Sequence, residues 1–299
     1  MSTSEKPVVG VIGLGIMGIA YARNLIKSGF VVNGFDLSEK SVNDLKGSGG
    51  TPLSSAREVA EKSDHLLIAL PSVAALDAVA AEIAPALRSG MVVAEMGTLP
   101  IDVKERARDV IEASGAKMLD SPVSGTGAQA AVGDLVVFSS GEEAGSEAMR
   151  VVFEGLGRDV RHVGEFGAGM KLKYVANLLV SIHNLATAEA LLLAEKSGLD
   201  LQTTFDVISS GAGNSRMFEV RGPLMVSGEY EPATMKMDVY IKDVMLILEH
   251  ARNARCPVPL MAATLPFYSA ALAQGRDKQD TAALFEVIRQ LSENTQEKT

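Results

Sequence analysis

This 299-residue sequence has one cysteine, no tryptophan and few aromatic residues, which make up 5% of the chain. Cys256 therefore has no partner for a disulfide within the chain and no place in a CxxC motif. A disulfide-stabilised extracellular fold is excluded, and we interpret Cys256 as a structural residue in a reducing compartment. Basic residues are outnumbered by acidic ones, since 28 lysines and arginines stand against 37 aspartates and glutamates, which gives a formal net charge of -9. This sign argues against nucleic acid as a partner.

Long apolar runs without polar side chains are absent too. The longest candidate, residues 174–194, contains Asn177, His183, Asn184 and Glu189. These side chains favour a buried helix over a membrane span, so no membrane partner is expected. The N-terminal segment MSTSEKP has no apolar core of the kind found in signal peptides, and we predict a cytoplasmic location. We also predict no metal site.

The first part of the chain has a regular alternation of short and long patterns. From residue 8 to about residue 163, runs rich in β-branched residues alternate with helix-like segments, as in a parallel sheet with crossover helices. We therefore predict an α/β domain of the Rossmann type, doubly wound, with a mostly parallel sheet. The predicted strands are residues 8–13, 30–36, 65–70, 91–96, 116–120, 135–140 and 158–163.

After about residue 165 the strand pattern ends and helical patterns take over. The length, about twice the ~150 residues of one domain, also favours two domains. We predict a first domain over residues 1–165 and an all-helical second domain over residues 166–299, linked by a long helix at about 170–196. The other predicted helices are residues 201–210, 216–226, 236–254, 258–274 and 280–293.

The first predicted strand runs directly into the turn GLGIMG, residues 13–18, and then into an amphipathic helix. Its glycine spacing permits a tight turn, close approach of the backbone to a pyrophosphate, and close packing of the helix on the strand. Asp36 ends the next strand, where a carboxylate can bind the ribose hydroxyls of adenosine. The pattern predicts a dinucleotide-binding domain with contacts from Gly13, Leu14, Gly15, Ile16, Met17, Gly18, Asp36 and Leu37.

Asp36 also bears on which dinucleotide is bound. Its carboxylate would face the 2′-phosphate of NADP, and Leu37 supplies no cation beside it. We therefore expect NAD as the cofactor. NADP remains possible because Lys40 is near enough in sequence to reach a phosphate.

Residues 167–179, GAGMKLKYVANLL, place two lysines in a segment that is otherwise suited to a buried helix. At about 100° per residue, Lys173, Asn177 and Asn184 fall on one narrow polar stripe, whereas Lys171 lies about 160° from Lys173. A helix that is apolar on most sides is expected to be buried and to face a cleft along its polar line.

Geometry alone leaves two interpretations of Lys173: a structural lysine that snorkels or forms an ion pair, or a functional lysine in a cleft. Oxidation of an alcohol by a nicotinamide needs a group that accepts the hydroxyl proton. A lysine whose ammonium is desolvated can serve near neutral pH, and Asn177 can orient it or the reacting oxygen. This chemistry favours the functional interpretation.

Four motifs in order make the sequence resemble the β-hydroxyacid dehydrogenase family, which includes 3-hydroxyisobutyrate dehydrogenase, tartronate semialdehyde reductase and, more distantly, 6-phosphogluconate dehydrogenase. The motifs are VIGLGIMG (11–18), DSPVSGTGAQAAVGDL (120–135), GAGMKLKYVAN (167–177) and YIKDVMLIL (240–248), and the resemblance covers nearly the whole chain. It implies that the protein interconverts a small β-hydroxy acid and its aldehyde or keto form. It also implies a homodimer or homotetramer assembled through the helical domain.

The resemblance implies roles for individual residues. Lys173 would be the general acid/base, with Asn177 beside it. Ser124 and Gly125 would hold the substrate carboxylate, with Thr126 adjoining them where many family members have a second glycine. The remaining cofactor contacts would be Leu70, Pro71, Thr98 and Lys242.

The sequence departs from the family pattern at three places. Thr126 adds a methyl and a hydroxyl to the substrate pocket, Gly97 stands where a serine is common, and residues 211–225 resemble threonate dehydrogenases except at Arg216. The resemblance therefore does not fix the substrate. Two other functions stay open: an imine reductase of the same fold, which typically lacks the lysine, and a dinucleotide-binding protein without turnover.

Overall fold

The structure, a computed structural model, describes residues 6–293. Most of the N-terminal segment for which no export signal is predicted, residues 1–5, lies outside the described residues. The chain divides into two compact units, and the boundary between them falls between Lys173 and Tyr174.

The first unit contains a six-stranded sheet in which every neighbouring pair of strands is parallel. Its strand order is β3-β2-β1-β4-β5-β6, the order of a Rossmann domain, so the predicted fold class is confirmed. The strands of the sheet are β1 Val9–Ile12, β2 Val32–Phe35, β3 Thr51–Pro52, β4 His65–Ile68, β5 Val92–Glu95 and β6 Lys117–Asp120.

Helices cover both faces of this sheet, because successive residues of each strand point to opposite sides. Val9 and Val11 belong to one apolar core with α1 and α7, whereas Ile12 belongs to a second core with α3, α4 and α5. The helices of the first unit are α1 Ile16–Lys27, α2 Glu39–Gly47, α3 Ala56–Glu61, α4 Val73–Ile83, α5 Ile101–Glu112, α6 Gly127–Ala131 and α7 Glu143–Glu154.

Side-chain caps fix where several of these helices begin. The hydroxyls of Ser38, Ser55 and Ser72 accept hydrogen bonds from backbone amides three residues later, which satisfies donors that have no partner within the helix. These caps set the first residues of α2, α3 and α4.

Two of the predicted strands do not join the main sheet. Strand β8 Val136–Ser139 pairs antiparallel with the short β7 Val123–Ser124 and parallel with β9 Asp159–His162, forming a separate three-stranded sheet. The short connection after β6, with β7 and the five-residue α6, reverses the chain. An antiparallel bridge between Asp120 and Ser140 links this second sheet to the end of β6.

Helix α8, Ala168–Lys196, begins in the first unit and continues into the second. It is long and apolar enough to cross a membrane by length and composition, a property shared by core helices of soluble proteins. The second unit, as far as residue 293, is otherwise helical, as predicted. Its further α-helices are α9 Leu201–Ser209, α10 Arg216–Ser227, α11 Met237–Asn253, α12 Pro259–Ala273 and α13 Leu284–Glu293.

Within the second unit, Asn177 and Asn184 of the polar stripe are buried, as is Ser181 on the same helix. The Ser181 hydroxyl is 2.9 Å from the Tyr240 hydroxyl, and Asn184 Nδ2 donates to the Thr281 carbonyl oxygen at 2.9 Å and, more weakly, to the Tyr268 hydroxyl. Burial raises the pKa of Tyr268 to about 12, so its hydroxyl stays protonated at neutral pH. These polar residues on α8 thus have protein partners, as expected of a core helix rather than a lipid-facing one.

The opposite side of α8 differs from the prediction. We expected the apolar circumference of this helix to be buried, but Leu172, Val175 and Leu179 are 37%, 58% and 48% exposed. The prediction was wrong for this face because the buried side of α8 is the one that carries the polar stripe.

Candidate active site

The glycine-rich turn follows β1 directly and opens α1. A Cβ atom on Gly18 would lie 1.8 Å from the Gly13 carbonyl oxygen, so the close packing of helix on turn requires glycine there. A Cβ on Gly15, in contrast, would meet no protein atom within 4 Å, which leaves open space against the backbone at the start of α1. The turn, formed by Gly13, Leu14, Gly15, Ile16, Met17 and Gly18, therefore fits the pyrophosphate of a dinucleotide.

Asp36 follows the last residue of β2 and is tied to this turn. Its Oδ2 accepts a hydrogen bond from the Leu14 backbone amide at 2.6 Å, and its Oδ1 accepts one from the Ser38 amide at 2.8 Å. Leu37, 92% exposed, lines a surface pocket together with Asp36. The carboxylate is thus held at the place where a ribose is bound in this fold.

Three further predicted cofactor residues lie at the same edge of the main sheet. Leu70 and Pro71 follow β4, and Thr98 follows β5. All the strands are parallel, so their carboxyl ends share one edge, and the reversal of strand order between β1 and β4 opens a crevice there. The structure brings these residues to the edge that carries the glycine-rich turn.

Gly97, one of the departures from the family pattern, has a physical reason in this chain. The Gly97 amide donates to Glu95 Oε1 at 2.8 Å, and a Cβ at position 97 would lie 2.6 Å from that oxygen. A serine at this position would displace the Glu95 carboxylate. The position of the Glu95 carboxylate therefore depends on glycine at position 97.

The predicted substrate loop contains Ser124, Gly125 and Thr126, which connect β7 to α6. Ser124 and Gly125 are half-buried. The buried Thr126 forms a capping box: its backbone amide donates to Gln129 Oε1 at 3.0 Å, and its hydroxyl accepts from the Gln129 amide. Thr126 thus orients the first turn of α6, and its contact with substrate stays a prediction.

Lys173 lies on the N-terminal part of α8 and is only 8% exposed, whereas Lys171 is exposed. The first amides of α8 lack partners within the helix and bind residues outside it. The Gly169 amide donates to Ser140 Oγ at 2.9 Å, and the Met170 amide donates to Asp120 Oδ2 at 2.7 Å. Because Asp120 ends β6, this end of α8 is held at the carboxyl edge of the main sheet.

Asn177, one turn after Lys173, belongs to the second unit, where it is buried. Its Nδ2 donates to Asp243 Oδ2 at 3.0 Å, and Asp243 Oδ1 lies 3.6 Å from the Lys242 ammonium. The Asn177 carbonyl oxygen accepts from the Tyr240 hydroxyl at 3.0 Å. The structure therefore groups Asn177 with Lys242 through Asp243.

A buried charge cluster beside the site was not predicted from the sequence. The Lys104 ammonium on α5 lies 2.7 Å from Glu95 Oε2 and 2.6 Å from Asp120 Oδ1, and all three side chains are fully buried. Burial opposes the charge on Lys104, but Asp120 and Glu95 together hold the pKa of its ammonium above the ordinary value. Burial raises the pKa of Glu95 despite Lys104.

A sequence signal for this cluster did exist. Glu95 and Asp120 are acidic residues at the ends of otherwise apolar strands, and Lys104 shares the buried side of α5 with Ala107 and Ile111. Among residues 6–293, no group of three or more His, Cys, Asp or Glu residues is arranged to hold a metal ion.

Two family models match the chain and together cover most of it. Residues 8–164 match the NAD binding domain of 6-phosphogluconate dehydrogenase, and residues 167–288 match the model described as NAD-binding of NADP-dependent 3-hydroxyisobutyrate dehydrogenase.

Individual relatives span nearly the same length. L-Threonate dehydrogenase of Cupriavidus necator is 35% identical over 94% of this chain and 95% of its own. NAD-dependent L-serine dehydrogenase of Pseudomonas aeruginosa is 31% identical over 96% of this chain and 98% of its own. The crystal structure of 3-hydroxyisobutyrate dehydrogenase from Salmonella typhimurium superposes with a TM-score of 0.86 at 32% identity, over 94% of this chain and 100% of that chain.

Proposed function

The chain belongs to the NAD(P)-dependent β-hydroxyacid dehydrogenase family, and we propose that Lys173 is the general acid/base with which it oxidises a small β-hydroxy acid. The observation that carries this proposal is the placement of Lys173. It is a buried lysine on a helix whose first turn is bound to Asp120, at the sheet edge that carries the glycine-rich turn. The reverse reaction would reduce the aldehyde or keto form of the same acid.

The residues divide the chemistry as follows. A bound NAD supplies the acceptor for the hydride. Lys173 Nζ, as the neutral amine, accepts the proton of the substrate hydroxyl, and in the reverse direction the ammonium returns it to the carbonyl oxygen. Asn177, whose Nδ2 donates to Asp243, would orient the Lys173 ammonium through its acceptor oxygen Oδ1, or the reacting oxygen through an Nδ2 hydrogen.

The proposed substrate is a small acid whose hydroxyl is on the β carbon. Threonate, serine and 3-hydroxyisobutyrate, the acids for which the relatives are named, share a carboxylate and a hydroxyl at this carbon. Ser124 and the backbone amide of Gly125 are proposed to bind the carboxylate, with Thr126 narrowing the pocket beside them.

The cofactor contacts proposed from the sequence complete this assignment. Gly13 to Gly18, Asp36, Leu37, Leu70, Pro71 and Thr98 belong to the proposed dinucleotide-binding domain, residues 1–165. Lys242 is proposed to contact the cofactor from the second domain, residues 166–299, which is proposed to bind substrate and to form the dimer contact. The helix at about 170–196 is proposed to link the two domains.

A substrate panel tests the proposal. Purified protein is mixed with NAD and a series of 3-hydroxy acids and sugar acids, and the absorbance of the reduced cofactor is followed. We expect turnover with at least one free acid and slower turnover with its methyl ester, because the ester lacks the anion that Ser124 and Gly125 would bind. Equal rates for acid and ester would contradict the carboxylate site. Binding of NAD without turnover of any acid would favour a non-catalytic protein.

We further propose that the protein is a homo-oligomer, a dimer or tetramer, in which the exposed apolar residues of the second unit contact another copy. Val175 and Leu179 on α8, with Val239 and Met245 on α11, are about half exposed or more. Large apolar side chains left exposed on one chain can be covered by contact with another subunit. Light scattering at micromolar concentration should give at least twice the mass of one chain, and the mass of a single chain would refute the proposal.

A cytoplasmic location is proposed from the single cysteine, which suits a reducing compartment. Fractionation of cells that produce the protein would place it in another compartment if this were wrong.

A further inference from the structure

The buried charge cluster formed by Lys104, Glu95 and Asp120 reaches two parts of the proposed site. Bringing charges out of water is costly unless each is paired and hydrogen-bonded. Here the Lys104 ammonium contacts both carboxylates at 2.7 Å or less. The remaining oxygens of the carboxylates are then free to bind the backbone elsewhere.

One arm of the cluster leads to α8. Asp120 Oδ1 faces Lys104, whereas Asp120 Oδ2 accepts from the Met170 amide at 2.7 Å. The Ser140 hydroxyl donates to the Asp120 carbonyl oxygen at 2.9 Å and to Asp120 Oδ2 at 3.2 Å, and it accepts from the Gly169 amide at 2.9 Å. A carboxylate and a hydroxyl thus cap the positive end of the helix from outside it.

The other arm leads to the loop after β5. Glu95 Oε2 faces Lys104, whereas Glu95 Oε1 accepts from the Gly97 amide at 2.8 Å. Gly97 precedes Thr98, a proposed cofactor contact. Lys104 is therefore the shared partner of two carboxylates, each of which holds the backbone of a different part of the proposed site.

We propose that Lys104, Asp120 and Ser140 are positioning residues that set the place of Lys173 by fixing the first turn of α8. Lys173 comes one turn after Met170, so a shift of the anchored amides moves its side chain by a comparable distance. The close approach is built into the sequence, since a Cβ on Gly169 would lie 2.5 Å from the Phe138 carbonyl oxygen. This inference rests on the proposed role of Lys173 as the proton carrier.

The test is a thermodynamic cycle on the full-length enzyme with NAD and its best acid from the panel. Ser140→Ala removes the hydroxyl that bridges Asp120 and Gly169, and Ser139→Ala is the matched control. Ser139 is the preceding residue and equally buried, but its hydroxyl accepts from Ser146 on α7 rather than from α8. Each variant is made alone and together with Lys173→Ala, and kcat, KM for NAD, the pH profile and the thermal midpoint are measured.

We expect Ser140→Ala to lower kcat by about fivefold or more, with KM for NAD unchanged, because a proton acceptor is displaced while cofactor binding is not. Ser139→Ala should change kcat by less than about twofold. In the Lys173→Ala background, Ser140→Ala should have no further effect on kcat, since a positioning residue has nothing left to position. A purely structural role would lower the thermal midpoint without this non-additivity.

The outcomes separate the two proposals. If Ser140→Ala behaves as Ser139→Ala does, or if its effect adds to that of Lys173→Ala, the positioning role is overturned while the catalytic role of Lys173 stands. If Lys173→Ala alone keeps most of its activity, both proposals fail together. Should Ser140→Ala fold poorly, Ser140→Cys decides in its place, because a thiol fills the same site with weaker hydrogen bonds.

Discussion

Replacing Lys173 with alanine is expected to lower kcat by about 10²–10⁴-fold, the usual contribution of a general acid or base. The variant should bind NAD and unfold at nearly the same temperature as the unmodified protein, because the substitution leaves in place the backbone amides of Gly169 and Met170 that anchor the start of α8. Steady-state kinetics, NAD titration and thermal unfolding measure the three quantities. The rise of kcat with pH that reports the base in the oxidative direction should be missing from the variant.

Lys171→Ala is the control for this change. Lys171 lies two residues away on the same turn of α8, but it is exposed and off the polar stripe. Its loss should cost at most a few-fold in rate. A folded Lys173→Ala protein that keeps more than about a tenth of normal kcat would show that another group moves the proton, since so small a loss falls below the range for acid–base catalysis.

The second large effect concerns the choice of cofactor. We expect NAD to exceed NADP by about tenfold or more in kcat/KM, on the order of 1.4 kcal/mol. The carboxylate of Asp36 is held by the Leu14 and Ser38 amides at 2.6 and 2.8 Å, so it is not free to swing away from a 2′-phosphate. Asp36→Ser removes the negative charge, and the ratio of the two kcat/KM values should fall towards one.

Glu61→Ser provides the matched control for Asp36→Ser. It also replaces one acidic residue of the first unit with serine, but Glu61 is an exposed residue at the end of α3, paired with Arg57. The ratio of kcat/KM with NAD to kcat/KM with NADP should be unchanged in the Glu61→Ser variant. Equal use of both cofactors by the unmodified protein would contradict the role given to Asp36.

Much of the fold was predictable because its signals are local. Each of the seven predicted strands is present, since a run of β-branched residues between turn residues is visible in one short window. The strands Thr51–Pro52 and Val123–Ser124 escaped prediction because two residues carry no period. The separate three-stranded sheet also escaped it, because the partner of β8 depends on a chain reversal that periodicity does not record.

The candidate site was predictable to a different extent. The glycine spacing and Asp36 predict a dinucleotide-binding turn from sequence alone, and the helical stripe distinguishes Lys173 from Lys171. Each member of the cluster of Lys104, Glu95 and Asp120 has a signal in the sequence, but their contact could not be predicted, because the three residues come from three different elements. Only the pairing of β5 with β6 and the packing of α5 bring their side chains together.

Helix α8 is divided unequally between the two units. The boundary between the two units falls after Lys173, so the first unit holds only the opening residues of a 29-residue helix. A helical segment of that length is not stable by itself in water, because nucleating a helix costs more than a few hydrogen bonds return. Most of the residues that propagate α8 belong to the second unit. The backbone conformation of Lys173 is therefore maintained from both ends, by capping bonds from the Rossmann domain and by helical propagation from the domain that follows.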